Sequence, residues 1–98
     1  MARGYWIGRI DVADEEAYRA YIAANAKAFA KYGARFLVRG GQMEAVEGVA
    51  RARNVVIEFA DYDTALACYH SPEYAEAKAL RDPISTGELV IIEGYDPV

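Results

Sequence analysis

The sequence predicts an α+β domain in which a four-stranded antiparallel sheet, strand order 4-1-3-2, carries its helices on one face. Three observations predict it. Four short stretches are rich in aromatic and β-branched residues, and longer stretches between them repeat apolar residues at helical spacing. These elements succeed one another as strand, helix, strand, strand, helix, strand, the split βαβ or ferredoxin-like arrangement, whose right-handed crossovers put the first and third strands at the centre. A chain of 98 residues is one domain, 1–98, with a modest core.

Tyr5 to Val12 is the first strand, free of proline. Asp14 is placed to cap the first helix, with Glu15 and Glu16 where the helix dipole favours anions. This helix runs to about Tyr32, and Tyr18, Tyr21, Ile22, Asn25, Phe29 and Tyr32 share one face before Gly33 stops it. Ala34 to Arg39 is the second strand. Gly40-Gly41 breaks the pattern as a bulge or bend does, and Gln42 to Glu47 reads as a short extended piece. Arg53 to Phe59 is the third strand. Asp61 caps the second helical stretch, which runs to Tyr69 with Ala65, Leu66 and Tyr69 on its apolar side.

At Tyr69-His70-Ser71-Pro72-Glu73-Tyr74 the chain turns a corner. The residue before a proline is pushed out of the α region, while proline itself suits a first helical turn. One helix therefore ends near His70 and another begins at Pro72 under a Ser71 cap, continuing through Tyr74, Ala77 and Leu80 to Asp82-Pro83. Glu88 to Tyr95 is the last strand, and its run Leu89-Val90-Ile91-Ile92 suggests burial on both faces.

Strand parity sorts the sheet residues. Trp6, Ile10, Phe36, Val38, Val55, Ile57 and Phe59 are assigned to the helix-covered face, with Gly8 among them. Tyr5, Ile7, Arg9, Arg35, Leu37, Arg39, Val56 and Glu58 fall on the other. Nothing in the chain is left to cover that second face, so a second copy of the chain, a homodimer, is the expected cover.

Gly4-Tyr5-Trp6-Ile7, Ala28-Phe29-Ala30-Lys31-Tyr32-Gly33, Arg39-Gly40-Gly41, Val56-Ile57-Glu58-Phe59 and Tyr69-His70-Ser71-Pro72-Glu73-Tyr74 together resemble the pattern of the domain of unknown function 1330 family, over nearly the whole chain. The resemblance implies the dimeric α/β-barrel superfamily, in which two ferredoxin-like sheets pack face to face. It carries over no catalytic residues. Related barrels range from small monooxygenases, isomerases and haem-handling proteins to proteins with no known chemistry, so fold alone assigns no function.

A net charge of −4 argues against nucleic-acid binding, and no stretch reads as a signal peptide or membrane span, so a cytoplasmic location is expected. The lone Cys68 excludes an internal disulfide and a cysteine-cluster metal site, and reads as a small buried residue. The lone His70 cannot hold a metal by itself, so no metal and no cofactor is expected. His70 is the one side chain that titrates near neutrality, which makes it the weak candidate for an acid or base; the ordinary alternative is a corner residue, exposed or bonded to backbone. Asn25 is the polar exception on an apolar helix face. Two readings of function follow. Either the protein binds or transforms a small apolar or aromatic metabolite between sheet and helices, with His70, Asn25, Tyr21, Tyr69 and Trp6 around it, or it is a dimeric module without chemistry.

Overall fold

Residues 2–96 are described in the computed structural model. The elements are β1 (Gly4–Val12), α1 (Glu15–Lys31), β2 (Arg35–Arg39), β3 (Arg53–Phe59), α2 (Tyr62–Tyr69), α3 (Pro72–Arg81), a 3-10 turn (Asp82–Ile84) and β4 (Ser85–Glu93). The strands form one antiparallel sheet in the order β2-β3-β1-β4, the predicted topology.

Side-chain caps set the helix starts. Asp14 accepts from the Ala17 N–H at 3.0 Å, and Asp61 accepts from the Thr64 N–H at 2.7 Å. Ser71 makes the corner twice over: its hydroxyl accepts from the Tyr74 N–H at 3.1 Å and donates to the Cys68 carbonyl at 2.7 Å. The residue is buried, so Ser71→Ala leaves the Tyr74 N–H without its acceptor, while the Cys68 carbonyl keeps the Ser71 backbone N–H at 3.2 Å. Its expected cost is about 1–2 kcal/mol, at the upper end for a lost cap, and denaturant melts check it. An unchanged midpoint rejects the capping role.

The core centres on Trp6. Its ring packs against Phe29, Phe59, Tyr69 and Tyr74, with centroids 4.9 to 5.8 Å away, and its indole N–H donates to the Ala65 carbonyl at 2.8 Å. β1 is thereby tied to all three helices and to β3. Across the helical layer, Lys31 of α1 pairs with Glu73 of α3 at 3.0 Å.

Four expectations need correction. Gly40 makes a bend, one of the two expected breaks, while the bulge lies at Leu37. Phe36 pairs with Ile57 but Val38 pairs with Val56, so Leu37 is an extra residue. A one-residue slip exchanges faces. Val38 therefore leaves the helix-covered side for the open face, and Arg39, opposite Val55, takes the helix-covered side. Second, residues 41–52 are irregular, with no strand over Gln42 to Glu47. Third, β4 starts and ends earlier than expected, and Val90 and Ile92 are exposed on the open face, so in the single chain the strand is not buried on both sides. Fourth, Leu80 is exposed; the inward face of α3 runs Tyr74, Ala77, Arg81.

The open face is consequently ordered. Val38, Val56, Ile7 and Val90 pair in succession across all four strands, one apolar row running edge to edge.

Candidate functional site

Between the sheet and α1/α3 the side chains leave a small chamber of about 30 Å³. Its floor is the helix-covered face of β1 and β3: Trp6, Gly8, Ile10, Val55 and Ile57. Gly8 keeps the floor low. A Cβ there would lie 3.6 Å from the Leu89 side chain, an ordinary contact, so the backbone does not demand glycine and the missing side chain leaves space. α1 contributes Tyr18, Tyr21, Asn25 and Phe29 at spacings of 3, 4 and 4, one helical face turned to the chamber. α3 supplies Tyr74 and Arg81, and Phe36, Arg39 and Arg53 come from β2 and β3.

The polar groups form a short network. The Tyr21 and Tyr74 hydroxyls share a hydrogen bond of 2.8 Å. The Arg81 guanidinium sits 5.5 Å from the Tyr21 ring centroid and 6.0 Å from that of Tyr74, and the Arg53 guanidinium sits 5.2 Å from that of Tyr18. Burial pushes the phenols of Tyr18 and Tyr74 above their ordinary values, with Tyr21 adding to both shifts, so these two rings stay neutral near neutral pH. Asn25 is only 4% exposed, and its Oδ1 has no hydrogen-bond partner among the described residues.

A wider groove of about 390 Å³ adjoins the chamber along β4. Gly8, Ile10, Arg81 and Leu89 line both spaces. Tyr69 and the segment from Ser85 to Glu88 form the rest of the groove, with Asp82 at its side.

The structure thus brings Trp6, Tyr21 and Asn25 together in the chamber and puts Tyr69 in the adjoining groove. It does not bring His70 there. His70 is exposed at the C-terminal end of α2, its ring edge-on to Tyr69 at 5.2 Å and its N–H bonded to the Leu66 carbonyl at 3.1 Å. Helix geometry explains this: Tyr69 turns inward to Trp6, so the next residue faces away. The expected pairing of His70 with Asn25 across one cavity is therefore absent. Cys68 is also outside the chamber, buried, with its thiol pushed up to about 12 by that burial and by the Glu73 charge. Sequence reasoning missed Arg39, Arg53 and Arg81. Arg53 shares the parity of Val55, Ile57 and Phe59, and Arg81 stands seven residues after Tyr74, so both carried a signal; Arg39 faces in only because of the bulge.

Among the described residues no group of His, Cys, Asp and Glu is arranged to hold a metal ion, and no helix is long and apolar enough to cross a membrane.

The profile of a family described as domain of unknown function (DUF1330) matches residues 3–95. No curated protein matches the chain. Solved structures share its fold at low identity. A protein of unknown function from Rhodopseudomonas palustris, RPA0582, superposes with a TM-score of 0.78 at 15% identity, covering 98% of this chain and 85% of that one. SnoaB, a cofactor-independent oxygenase from Streptomyces nogalater, has a TM-score of 0.68 at 16% identity, covering 100% and 98%. A dimeric ferredoxin-like protein of unknown function from Thermobifida fusca has a TM-score of 0.61 at 17% identity, covering 94% and 89%. Likeness at these identities establishes the ferredoxin-like fold and leaves the chemistry to the site.

Proposed function

The chain belongs to the DUF1330 family, and on that premise we propose that it is a homodimeric α/β barrel that binds a small metabolite with an apolar or aromatic body between sheet and helices. The observation that carries this reading is Asn25. A buried amide oxygen without a partner is unfavourable by about 1–3 kcal/mol. Here it stands on an otherwise aromatic wall, facing a space that connects to a larger groove. Small-molecule sites have this composition: apolar walls and a few polar groups that fix orientation. The chamber holds only a small polar head, so the body lies in the groove against Tyr69, Ile10 and Leu89.

The chamber favours binding over proton transfer. Its tyrosines Tyr18 and Tyr74 are held neutral, His70 stands outside, and its other charged groups are arginines. The oxygenase activity in the name of SnoaB belongs to that protein.

The competing reading, a dimeric module without a ligand, draws on the chamber's size, which suits one or two waters bridging Asn25 and the tyrosines. Native mass spectrometry of the freshly purified protein, followed by a metabolite screen read by Trp6 fluorescence, separates the two. A bound metabolite should lose affinity about tenfold on Asn25→Ala, the worth of one well-placed hydrogen bond to a buried group. A screen without hits, with Asn25→Ala as stable as the parent, leaves the module reading.

A further inference from the structure

Every charged side chain that lines the inner chamber is an arginine: Arg39, Arg53 and Arg81. They come from three elements, and no carboxylate stands among the lining residues to neutralise them. Elsewhere in this acidic chain Arg3 and Arg51 meet acids, whereas Arg9, Arg19 and Arg35 have no ion pair among the described residues. Arg51 forks onto Glu88 and Asp11, and Arg3 lies 3.9 Å from Glu58. Arg81 has Asp82 at 3.6 Å on the groove side, whereas Arg39 and Arg53 have no acid within ion-pair distance among the described residues. Arg53 goes further. Its Nε–H is buried with no acceptor. Its guanidinium lies 5.2 Å from the Tyr18 ring centroid and beside Gly40, where a Cβ would come within 2.7 Å of Nη1. Arg39 reaches the same side only because the Leu37 bulge turns it there, and its guanidinium stacks 4.0 Å from the Phe36 ring centroid.

Arg53, whose buried Nε–H lacks an acceptor, faces this aromatic-walled space with Arg81 and the exposed Arg39 beside it, and the chemical complement of such a group is an oxyanion. Arginine matches a carboxylate in shape as well as charge, presenting parallel N–H donors. Asn25 adds an amide that offers an acceptor in one orientation and two donors when turned over. The chamber volume is that of a head group and not of a whole metabolite.

We propose that the chamber is an oxyanion seat, and that the ligand is therefore an aromatic or apolar carboxylic acid whose carboxylate enters head first toward Arg53, Arg81 and Arg39 while its body stays in the groove along β4. This rests on the binding reading above and narrows its ligand class.

Trp6 is the only tryptophan and lines the chamber, so its fluorescence reports occupancy directly. The probes are phenylacetate and its neutral isostere phenylacetamide, titrated into the full chain. Phenylacetate should bind at least about tenfold more tightly than the amide, the difference that a charge-assisted hydrogen bond makes. Arg53→Met or Arg81→Met should remove that preference, and Arg39→Gln, at an exposed position replaceable without opening the core, should weaken phenylacetate while the circular dichroism spectrum is unchanged. Arg19→Gln, on the exposed side of α1, should leave both titrations as they were. Equal binding of the two probes, or a preference for phenylacetate that survives all three chamber variants, overturns the oxyanion seat and leaves the binding reading intact. Silence of Trp6 toward both probes overturns the two together.

Discussion

Trp6→Ala should remove most of the stability of this domain. The indole is 2% exposed and contacts four aromatic rings from α1, β3, α2 and α3. Truncating a buried tryptophan to alanine typically destabilises by about 3–5 kcal/mol, from lost transfer energy plus the cavity left behind. The variant also leaves the Ala65 carbonyl without its indole donor. A domain of this size has about 5–15 kcal/mol in all, so the variant sits near the edge of folding. The melting temperature should fall by at least about 12 °C, taking about 4 °C per kcal/mol for a small domain. Trp6→Phe keeps an aromatic body and should lose roughly half as much, which separates ring packing from the hydrogen bond. Both variants are compared at one protein concentration, since subunit association raises apparent stability. A loss under about 1 kcal/mol for Trp6→Ala would place the energetic centre of the core elsewhere.

How much of this was readable in the chain depends on which signals are local. The element order and sheet topology follow from periodicity and capping residues, and Asp14, Asp61 and Ser71 cap where side chains of their type must. Trp6, Tyr21 and Asn25 were readable as chamber residues because parity in a strand and spacing in a helix fix direction. The bulge was not. Nothing in Arg35–Arg39 distinguishes Leu37 as the extra residue, and the glycine pair two residues later is the stronger breaker by composition. That one residue decides two things at once: it completes the apolar row of the open face with Val38, and it turns Arg39 to the chamber side. His70 failed for another reason. Its uniqueness in the chain says nothing about direction, and the residue after an inward Tyr69 looks outward.

The same row sets the second large effect, Ile7→Lys, which should abolish the proposed pairing of two copies through the open sheet face. Ile7 lies on the central strand β1, flanked by Val56 on β3 and Val90 on β4. Ile7 is 40% exposed in the single chain, as are Val38 at 42%, Val90 at 51% and Ile92 at 47%, all large apolar side chains on one sheet face. A continuous patch of that kind marks an association surface. The molecule measures 42 × 36 × 17 Å, a slab whose broad face is large enough to supply the ~800 Å² per partner of a standard interface. Several charges around the row are met within the chain: Glu58 accepts from the Tyr5 hydroxyl, Arg51 bridges Glu88 and Asp11, and Arg9 reaches the Val49 carbonyl. In a two-fold interface each substitution appears twice, so Ile7→Lys brings two ammonium groups into an apolar centre without partners. Burying an unpaired charge costs several kcal/mol, and a loss of only about 3 kcal/mol already raises Kd by more than a hundredfold. Light scattering at micromolar concentration should therefore report a dimer for the parent and a monomer for Ile7→Lys. Leu80→Lys is the matched control: Leu80 is 43% exposed, yet it lies on α3 in the helical layer, and its replacement should leave the dimer intact. A monomeric parent, or a dimer that survives Ile7→Lys and is broken by Leu80→Lys, would move the interface off the sheet and leave the apolar row without a partner.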